Sequence, residues 1–217
     1  MSPHRKKGLF VTFEGGEGAG KTTLIEEIAR QLALEGNAVL KTREPGGTKF
    51  GEHVRTLLLQ HSQDAVPLSP YAELCLFLAS RSQHIVEVIQ PALDAGKIVL
   101  CDRFNDSSVA YQGAARGLGR EQVASFCRFI SHGLEPDLTL YLDIDPELGL
   151  ARAKKERQQD RIESETVAFH TKIREAYHAI HKEQPRRFQL LDAAKPPKAV
   201  FEEAMKRIHP LLSTSHV

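Results

Sequence analysis

Short runs rich in β-branched and aromatic residues alternate along the chain with longer stretches whose apolar positions recur at helical spacing. The short runs predict strands at 8–14, 38–42, 97–102, 137–143 and 188–192. The longer stretches predict helices at 21–35, 48–60, 69–95, 120–132, 146–184 and 198–212, the third interrupted near Pro91 and the fifth by a charged run. Strands that alternate with helices need crossover connections. The pattern therefore predicts an α/β fold with a five-stranded, mostly parallel sheet flanked by helices on both faces.

Composition excludes several classes of protein. The 217 residues carry 29 basic and 28 acidic side chains, so no overall field attracts nucleic acid or an anionic membrane. The apolar runs are too short to span a bilayer, and the three cysteines form no Cys-x-x-Cys pair, as is typical of a reducing cytoplasm. We expect a single domain over 8–212 between polar tails at 1–7 and 213–217, in the cytoplasm.

The first predicted strand is followed by a glycine-rich loop that opens the first predicted helix. Its residues match G-x-x-x-x-G-K-[ST], in the order Gly15, Gly16, Glu17, Gly18, Ala19, Gly20, Lys21 and Thr22. Small residues let backbone N–H groups converge on phosphate oxygens, and the helix N-terminus adds its positive dipole end. Lys21 is expected to reach the β- and γ-phosphates of a nucleotide, and the Thr22 hydroxyl to ligate Mg²⁺.

Two further polar segments follow predicted strands. Asp102 and Arg103 end the third strand, and Arg43 leads into an Arg-Glu-Pro-Gly-Gly turn after the second. Because ligands bind at the carboxyl ends of parallel strands, we expect both arginines beside Lys21. Asp102 is a candidate for Mg²⁺ and Arg103 for a phosphate. A polar stretch downstream adds Ser107, Ser108, Tyr111 and Gln112.

Phe77 and Arg81 lie one turn apart on the third predicted helix and share a face. Together they suit a flat heteroaromatic ring, on which Phe77 would stack while Arg81 donates to a carbonyl. The alternative is that Phe77 belongs to the core, and the spacing leaves both open.

The run 149–163 carries Arg152, Lys154, Lys155, Arg157 and Arg161, and helical spacing puts Lys154, Arg157 and Arg161 on one face. A solvated charged helix explains such a run. A mobile basic lid that closes over a reacting phosphoryl group explains it equally well.

Together these segments resemble the thymidylate kinase family, whose members phosphorylate dTMP to dTDP. The residues that carry the resemblance are 13–23, 42–48, 76–84 and 102–113, with 160–163 similar to the close of the family's lid, and the similarity spans about 8–210. It implies a P-loop NTPase fold with a small helical lid at about 149–163, ATP and Mg²⁺ as donor and cofactor, and a homodimer. The expected partner of the protein is a small-molecule substrate, dTMP, and neither a nucleic acid nor a membrane.

The resemblance also implies a role for individual residues. The loop from Gly15 to Thr23 would hold the ATP phosphates, with Thr22 and Asp102 on Mg²⁺. Glu17 would accept the 3′-hydroxyl of dTMP, and Arg43 and Arg103 would hold its phosphate. Phe77 would stack on thymine, Arg81 would bond its carbonyl edge, and Tyr111 would lie under the deoxyribose. Ser107, Ser108 and Gln112 would be further base contacts.

The family differs within itself in the position of its catalytic basic residue. One type places it directly after the loop carboxylate, where this chain has Gly18, and the bacterial type places it in the lid. The residues expected to act in the transfer are thus Lys21, Arg103, Arg152, Arg157 and Glu17. Glu156 stands where a bacterial lid often has Arg, which leaves open whether Arg152, Lys155 or Arg157 acts.

The mechanism expected is in-line transfer of the γ-phosphoryl group to an acceptor oxygen that is already anionic, so no strong general base is required. Two alternatives remain at the level of sequence. One is another nucleoside or nucleotide kinase, and the other is a regulatory GTPase or ATPase switch, although the Asn-Lys-x-Asp guanine motif is absent.

Overall fold

The computed structural model of the protein describes residues 8–60, 67–156 and 160–212. Its strands are β1 (Leu9–Gly15), β2 (Val39–Arg43), β3 (Ile98–Asp102), β4 (Leu138–Asp143) and β5 (Phe188–Asp192). They form one sheet in the order β2-β3-β1-β4-β5, and every neighbouring pair is parallel. The predicted five-stranded parallel sheet is confirmed, and each strand begins and ends within one residue of its predicted position.

Helices connect the strands and cover both faces of the sheet. They are α1 (Lys21–Leu34), α2 (Lys49–Leu59), α3 (Pro70–His84), α4 (Gln90–Asp94), α5 (Asn105–Ser108), α6 (Arg120–Ile130), α7 (Pro146–Glu156), α8 (Val167–Glu183) and α9 (Pro197–Leu212). Thr48, Ser69 and Thr166 cap α2, α3 and α8, each side chain accepting a backbone N–H of the first turn. No helix in the described part of the chain is long and apolar enough to cross a membrane.

The helical predictions need three adjustments. The predicted helix at 69–95 is α3 and α4 joined by a π-helical turn at Ile85–Ile89, directly before Pro91, whose missing N–H disturbs the hydrogen-bond ladder. A helical segment that the sequence did not predict comprises α5 and a π-helical turn at Val109–Ala115. The predicted helix at 146–184 divides into α7 and α8, and the predicted charged interruption is confirmed.

That division overturns the expectation that Lys154, Arg157 and Arg161 share one helical face. Helix α7 ends at Glu156, and Arg161 lies in a turn before α8. Arg157 lies outside the described residues.

The core explains why the carboxyl edge of the sheet is free for ligands. Strand β1 is buried along its whole length. Val11 and Phe13 pack with residues of α1 and α9, whereas Phe10 packs on the opposite face with the π-helical turn and α4. With both faces covered, the polar residues that follow β1, β2 and β3 meet at one end of the sheet.

Candidate active site

One cavity of about 780 Å³ opens at the carboxyl ends of β1, β2 and β3. It brings together most of the residues singled out from the sequence. Those lining it are Glu17, Gly18, Ala19, Gly20, Lys21, Thr22, Thr23, Arg43, Phe77, Asp102, Arg103, Ser107, Ser108, Tyr111 and Gln112. Gly15, Gly16, Arg81 and Arg152 are not among the lining residues. The phosphate loop, both expected phosphate-binding arginines and the aromatic ring therefore face the same space.

The loop between β1 and α1 is built around a buried ammonium group. Gly20 precedes α1 in the left-handed region (φ 86°), which glycine adopts without steric cost. Lys21 is only 8% exposed, and its Nζ donates to the carbonyl oxygens of Gly15 (3.2 Å) and Gly16 (3.0 Å). Burial and the nearby Arg103 lower the pKa of Lys21. The loop carbonyls thus hold the Lys21 ammonium inside the loop. The ammonium has to lie there if it is to contact the phosphate oxygens of a bound nucleotide.

Backbone contact joins this loop to the start of α7. A Cβ on Gly18, whose φ is +64°, would lie 2.1 Å from the carbonyl oxygen of Gly149. A Cβ on Gly149 would lie 2.4 Å from the carbonyl oxygen of Glu17. Glycine is therefore required on both sides, and a side chain after the loop carboxylate is incompatible with this packing.

Arg103 occupies the junction between β3 and α5 in a backbone conformation unusual for a bulky residue (φ 70°). Its guanidinium donates to Glu17 Oε1 at 2.8 Å and lies 5.0 Å from the centre of the Tyr111 ring. The Tyr111 hydroxyl donates to the same Glu17 oxygen at 3.3 Å. Glu17 is thus held inside the phosphate loop as a charged acceptor, with its pKa lowered.

Glu163, in the turn before α8, lies against Glu17 at the cavity and was not singled out from the sequence as a site residue. Burial and the Glu17 charge raise the pKa of Glu163 to about 7. Burial also opposes ionisation of Glu17, but Arg103 and Lys21 outweigh it and lower its pKa to about 2. In this pair, Glu17 is the charged member and Glu163 the one that keeps a proton.

A second arginine accompanies Arg43 at the outer end of the cavity. Arg43 is half exposed and donates to Glu52 at 3.0 Å. Arg55, on α2, also lines the cavity and donates to the Pro45 carbonyl at 3.0 Å. Burial and the Arg43 charge lower the pKa of Arg55. Sequence reasoning missed Arg55, although its place one turn after Glu52 in the helix that follows the glycine turn was a usable signal.

Arg81 lies beneath the cavity surface. It is 1% exposed, and its guanidinium donates to Glu44 (2.6 Å), to the Phe104 carbonyl (3.0 Å) and to the Ser108 hydroxyl (3.0 Å). The predicted bond from Arg81 to a base carbonyl stays a prediction. In this structure Arg81 reaches the cavity through Ser108, which lines it.

Glu44 joins Arg81 to the turn that follows β2. Its second oxygen contacts His84 Nδ1 at 3.0 Å, and His84 Nε2 contacts the Thr42 hydroxyl at 2.6 Å. Every one of these groups except Thr42 is buried. The network ties the arginine turn to α3.

The turn before α8 is fixed over the other end of the cavity. Glu73 on α3, 1% exposed, accepts from Arg161 (2.6 Å), Arg116 (3.2 Å) and Gln112 (2.8 Å). Arg161 also donates to the Leu58 carbonyl at 2.9 Å. Arg161 is therefore a structural contact between this turn, α2 and α3.

The charged run contains two arginines that are predicted to be catalytic, Arg152 and Arg157, and the structure describes only Arg152. It projects from α7 towards the turn after β5, where it donates to the Ala193 carbonyl at 3.2 Å. Arg157 lies outside the described residues, as do the side chains of Lys155 and Glu156. The choice among these residues stays open.

The residues expected to hold Mg²⁺ suit that ion. Asp102 Oδ1 is buried and has no hydrogen-bond partner among the described residues, while Thr22 lies exposed at the start of α1 on the same cavity. Among the described residues, no group of three or more His, Cys, Asp or Glu side chains could hold a metal ion by itself, which leaves Asp102 and Thr22 as the candidate donors. That donor set fits Mg²⁺, which is usually held by one or two carboxylates together with substrate phosphates.

Comparison with known proteins agrees with this geometry. The family described as thymidylate kinase matches residues 13–204. The thymidylate kinase of Protochlamydia amoebophila is 47% identical over 100% of this chain and 99% of its own, and that of Shouchella clausii is 46% identical over 95% and 97%. A crystal structure of thymidylate kinase from Ehrlichia chaffeensis superposes with a TM-score of 0.74 at 32% identity, covering 93% of this chain and 98% of that one.

Proposed function

This chain belongs to the thymidylate kinase family and has the P-loop NTPase fold, and we propose from that premise how its residues phosphorylate dTMP with ATP. The observation that carries the proposal is the single cavity that joins the phosphate loop to Arg43, Phe77 and Arg103. Donor and acceptor then meet head to head above the carboxyl ends of β1 and β3. A bound pair held in line converts the transfer into an effectively unimolecular step.

On the donor side, the loop from Gly15 to Thr23 holds the ATP phosphates through backbone N–H groups and Lys21. ATP phosphates draw the Lys21 ammonium away from the loop carbonyls that it contacts here. Thr22 and Asp102 are the residues that would hold Mg²⁺, which when bound neutralises charge on the phosphate oxygens.

On the acceptor side, Arg103 and Arg43 hold the dTMP phosphate. Arg55 adds a third cation at the same end of the cavity, which supports an anionic group there. Because the attacking oxygen of a phosphate monoester is already ionised, no residue has to remove its proton. Catalysis then depends on positioning and on neutralising charge.

The sugar and base lie further along the cavity. The charged Glu17 accepts a hydrogen bond from the 3′-hydroxyl, and the Tyr111 ring lies under the deoxyribose. Phe77, partly buried on the cavity wall, stacks on thymine. We assign Ser107, Ser108 and Gln112, which line the same cavity, as polar contacts of the base, and Arg81 positions Ser108.

The lid is the segment at about 149–163, and one of its basic residues, Arg152, Lys155 or Arg157, would contact the transferred group in the transition state. The backbone contact between Gly18 and Gly149 supports this assignment, because it leaves no room for a basic side chain directly after Glu17. Basic groups then have to come from α7 and the residues that follow it.

The direct test is an ADP-release assay with ATP and each nucleoside monophosphate in turn, on wild type and Lys21→Ala. Wild type should turn over with dTMP as the preferred acceptor. Lys21→Ala should lose about 10³-fold or more in kcat, as expected when the charge that meets the β- and γ-phosphates is removed. Its thermal unfolding should show an intact fold. Near-normal turnover of Lys21→Ala would contradict the mechanism.

We also propose a homodimer formed through α2, α3 and α6. Large exposed apolar side chains concentrate on these helices, namely Phe50, Leu57, Tyr71, Phe126 and Phe129. On α3 the exposed positions Tyr71, Cys75 and Ala79 form a stripe at helical spacing, in which Cys75 and Ala79 are small. Small residues let two copies of α3 approach closely about a twofold axis, where the same surface meets itself.

We also propose that the protein is located in the cytoplasm. The support for this location is that Cys75, Cys101 and Cys127 are all free thiols, as is typical of proteins in a reducing compartment.

A further inference from the structure

His170 is a buried residue to which the mechanism above gives no role. It lies on the first turn of α8 and is 5% exposed. Its ring borders a second cavity, of about 20 Å³, behind the phosphate loop. Gly16 and Glu17 line the same cavity from the loop side. His170 and Glu17 therefore border the same small cavity, and their charges interact.

The two ring nitrogens of His170 have different surroundings. The main chain of Glu163 lies near the ring and acts to raise the pKa of His170. Its Nε2, unlike Nδ1, is a buried atom with no hydrogen-bond partner among the described residues. Burial lowers the pKa of His170, although the charges of Glu17 and Glu165 act in the opposite direction and Arg103 reinforces burial. The ring is thus neutral, and Nε2 is a buried acceptor that requires a donor.

The cavity is large enough for about one water molecule. A water placed between His170 Nε2 and the Glu17 carboxylate would have one proton for each of these two acceptors. Arg103 and Tyr111 both bind Oε1 of Glu17. A further contact from behind the loop would therefore restrict rotation of the carboxylate.

We propose that one ordered water bridges His170 Nε2 to Glu17, and that His170 is a positioning residue for the carboxylate that accepts the 3′-hydroxyl of dTMP. This inference rests on the role proposed above for Glu17.

The test uses two variants that each preserve one end of the ring. His170→Asn keeps a donor near Nδ1, and His170→Gln keeps a polar group near Nε2. Both are assayed for kcat/KM with dTMP and with 3′-deoxythymidine monophosphate, which lacks the hydroxyl that Glu17 accepts. Loss of one bridged hydrogen bond predicts that His170→Asn falls roughly 5- to 10-fold with dTMP and little with the 3′-deoxy analogue. His170→Gln should stay within about 3-fold of wild type with both.

Glu17→Gln supplies the reference. It should weaken dTMP far more than the 3′-deoxy analogue, and adding His170→Asn to it should cause no further loss with dTMP. If Glu17→Gln affects both substrates equally, the proposed role of Glu17 fails, and the inference fails with it. If Glu17→Gln discriminates but His170→Asn and His170→Gln lower both substrates alike, His170 only packs α8, and the inference alone is overturned.

A structure of the wild-type protein decides the matter even if a variant does not fold. A high-resolution crystal structure should show one ordered water within hydrogen-bonding distance of both His170 Nε2 and a Glu17 oxygen. A dry cavity at that position would overturn the inference.

Discussion

The contact between Gly18 and Gly149 gives a sharp test of how the phosphate loop and α7 work together. In Gly18→Ala, the added Cβ lies 2.1 Å from the Gly149 carbonyl oxygen, whereas ordinary contact begins at 3.4 Å. The loop and α7 must therefore separate by roughly 1.3 Å, because neither partner is a flexible side chain that can move aside.

Two effects contribute to the predicted magnitude. Alanine at φ +64° costs about 1 kcal/mol in backbone strain, which corresponds to a fall in Tm of about 2–4 °C for a chain of this length. A displacement of about 1 Å in a site that acts by positioning costs on the order of 10²-fold in kcat/KM. The predicted result for Gly18→Ala is therefore a large loss in kcat/KM together with a small decrease in Tm.

Gly36→Ala is the matched control. Its φ is +87°, and a Cβ there meets nothing within 4 Å, so it carries the strain without the collision. Gly149→Ala is the complementary variant, since its Cβ meets the Glu17 carbonyl at 2.4 Å without the strain of a positive φ. We expect Gly36→Ala to lose stability alone, Gly149→Ala to lose activity, and the pair Gly18→Ala with Gly149→Ala to lose less than the sum.

The assays are initial-rate kinetics with ATP and dTMP and thermal unfolding of each variant. The reasoning is refuted if Gly18→Ala keeps kcat/KM within about 3-fold of Gly36→Ala, since a 1 Å displacement of a catalytic group would then have no consequence.

Glu14, Glu73 and Cys75 each allow a further test. Burial raises the pKa of Glu14 to about 7 from 4.5, so the folded protein binds this proton more tightly than the unfolded chain. The free energy of unfolding should therefore decrease between pH 4.5 and 7 by up to about 3 kcal/mol, and urea denaturation of Glu14→Gln should show a flatter dependence on pH. Glu73→Gln weakens the contacts that fix Arg161 and should raise KM for dTMP about tenfold, the order expected for a charge-assisted hydrogen bond. An unchanged KM would show that the turn before α8 does not shape the acceptor site. If α3 forms the dimer interface, Cys75 should react slowly with a thiol reagent and faster in Ala79→Arg, which light scattering should show to be a monomer. Equal rates would contradict that interface.

The sequence predicted the parallel sheet and the position of the site well because both depend on local pattern. Strands of β-branched residues separated by amphipathic helices leave few topologies, and motifs that follow β1, β2 and β3 must meet at one edge. Lys21, Arg43, Arg103 and Phe77 reach one cavity for that reason.

Partners that depend on tertiary packing could not be predicted in the same way. The burial of Arg81 follows from Glu44, which is 37 residues away, and nothing in the spacing of either segment specifies the pair. Glu163 and His170 become relevant only because a turn after α7 folds back over Glu17. The helix at 105–115 has no clear apolar period, since Ser107, Ser108 and Gln112 line the cavity and its apolar residues pack in the core. Tyr111 contacts both the cavity and the core.

The buried links among Arg81, Glu44, His84 and Thr42 have a consequence for which acceptors fit. They set the separation between the turn that carries Arg43 and the helix that carries Phe77. The distance between the site for the base and the site for the phosphate is thus fixed. The position of the stacked ring therefore determines the position of the phosphorus atom at the other end of the acceptor. A nucleoside without a phosphate, or a diphosphate with one too many, leaves its terminal oxygen out of line with the incoming group.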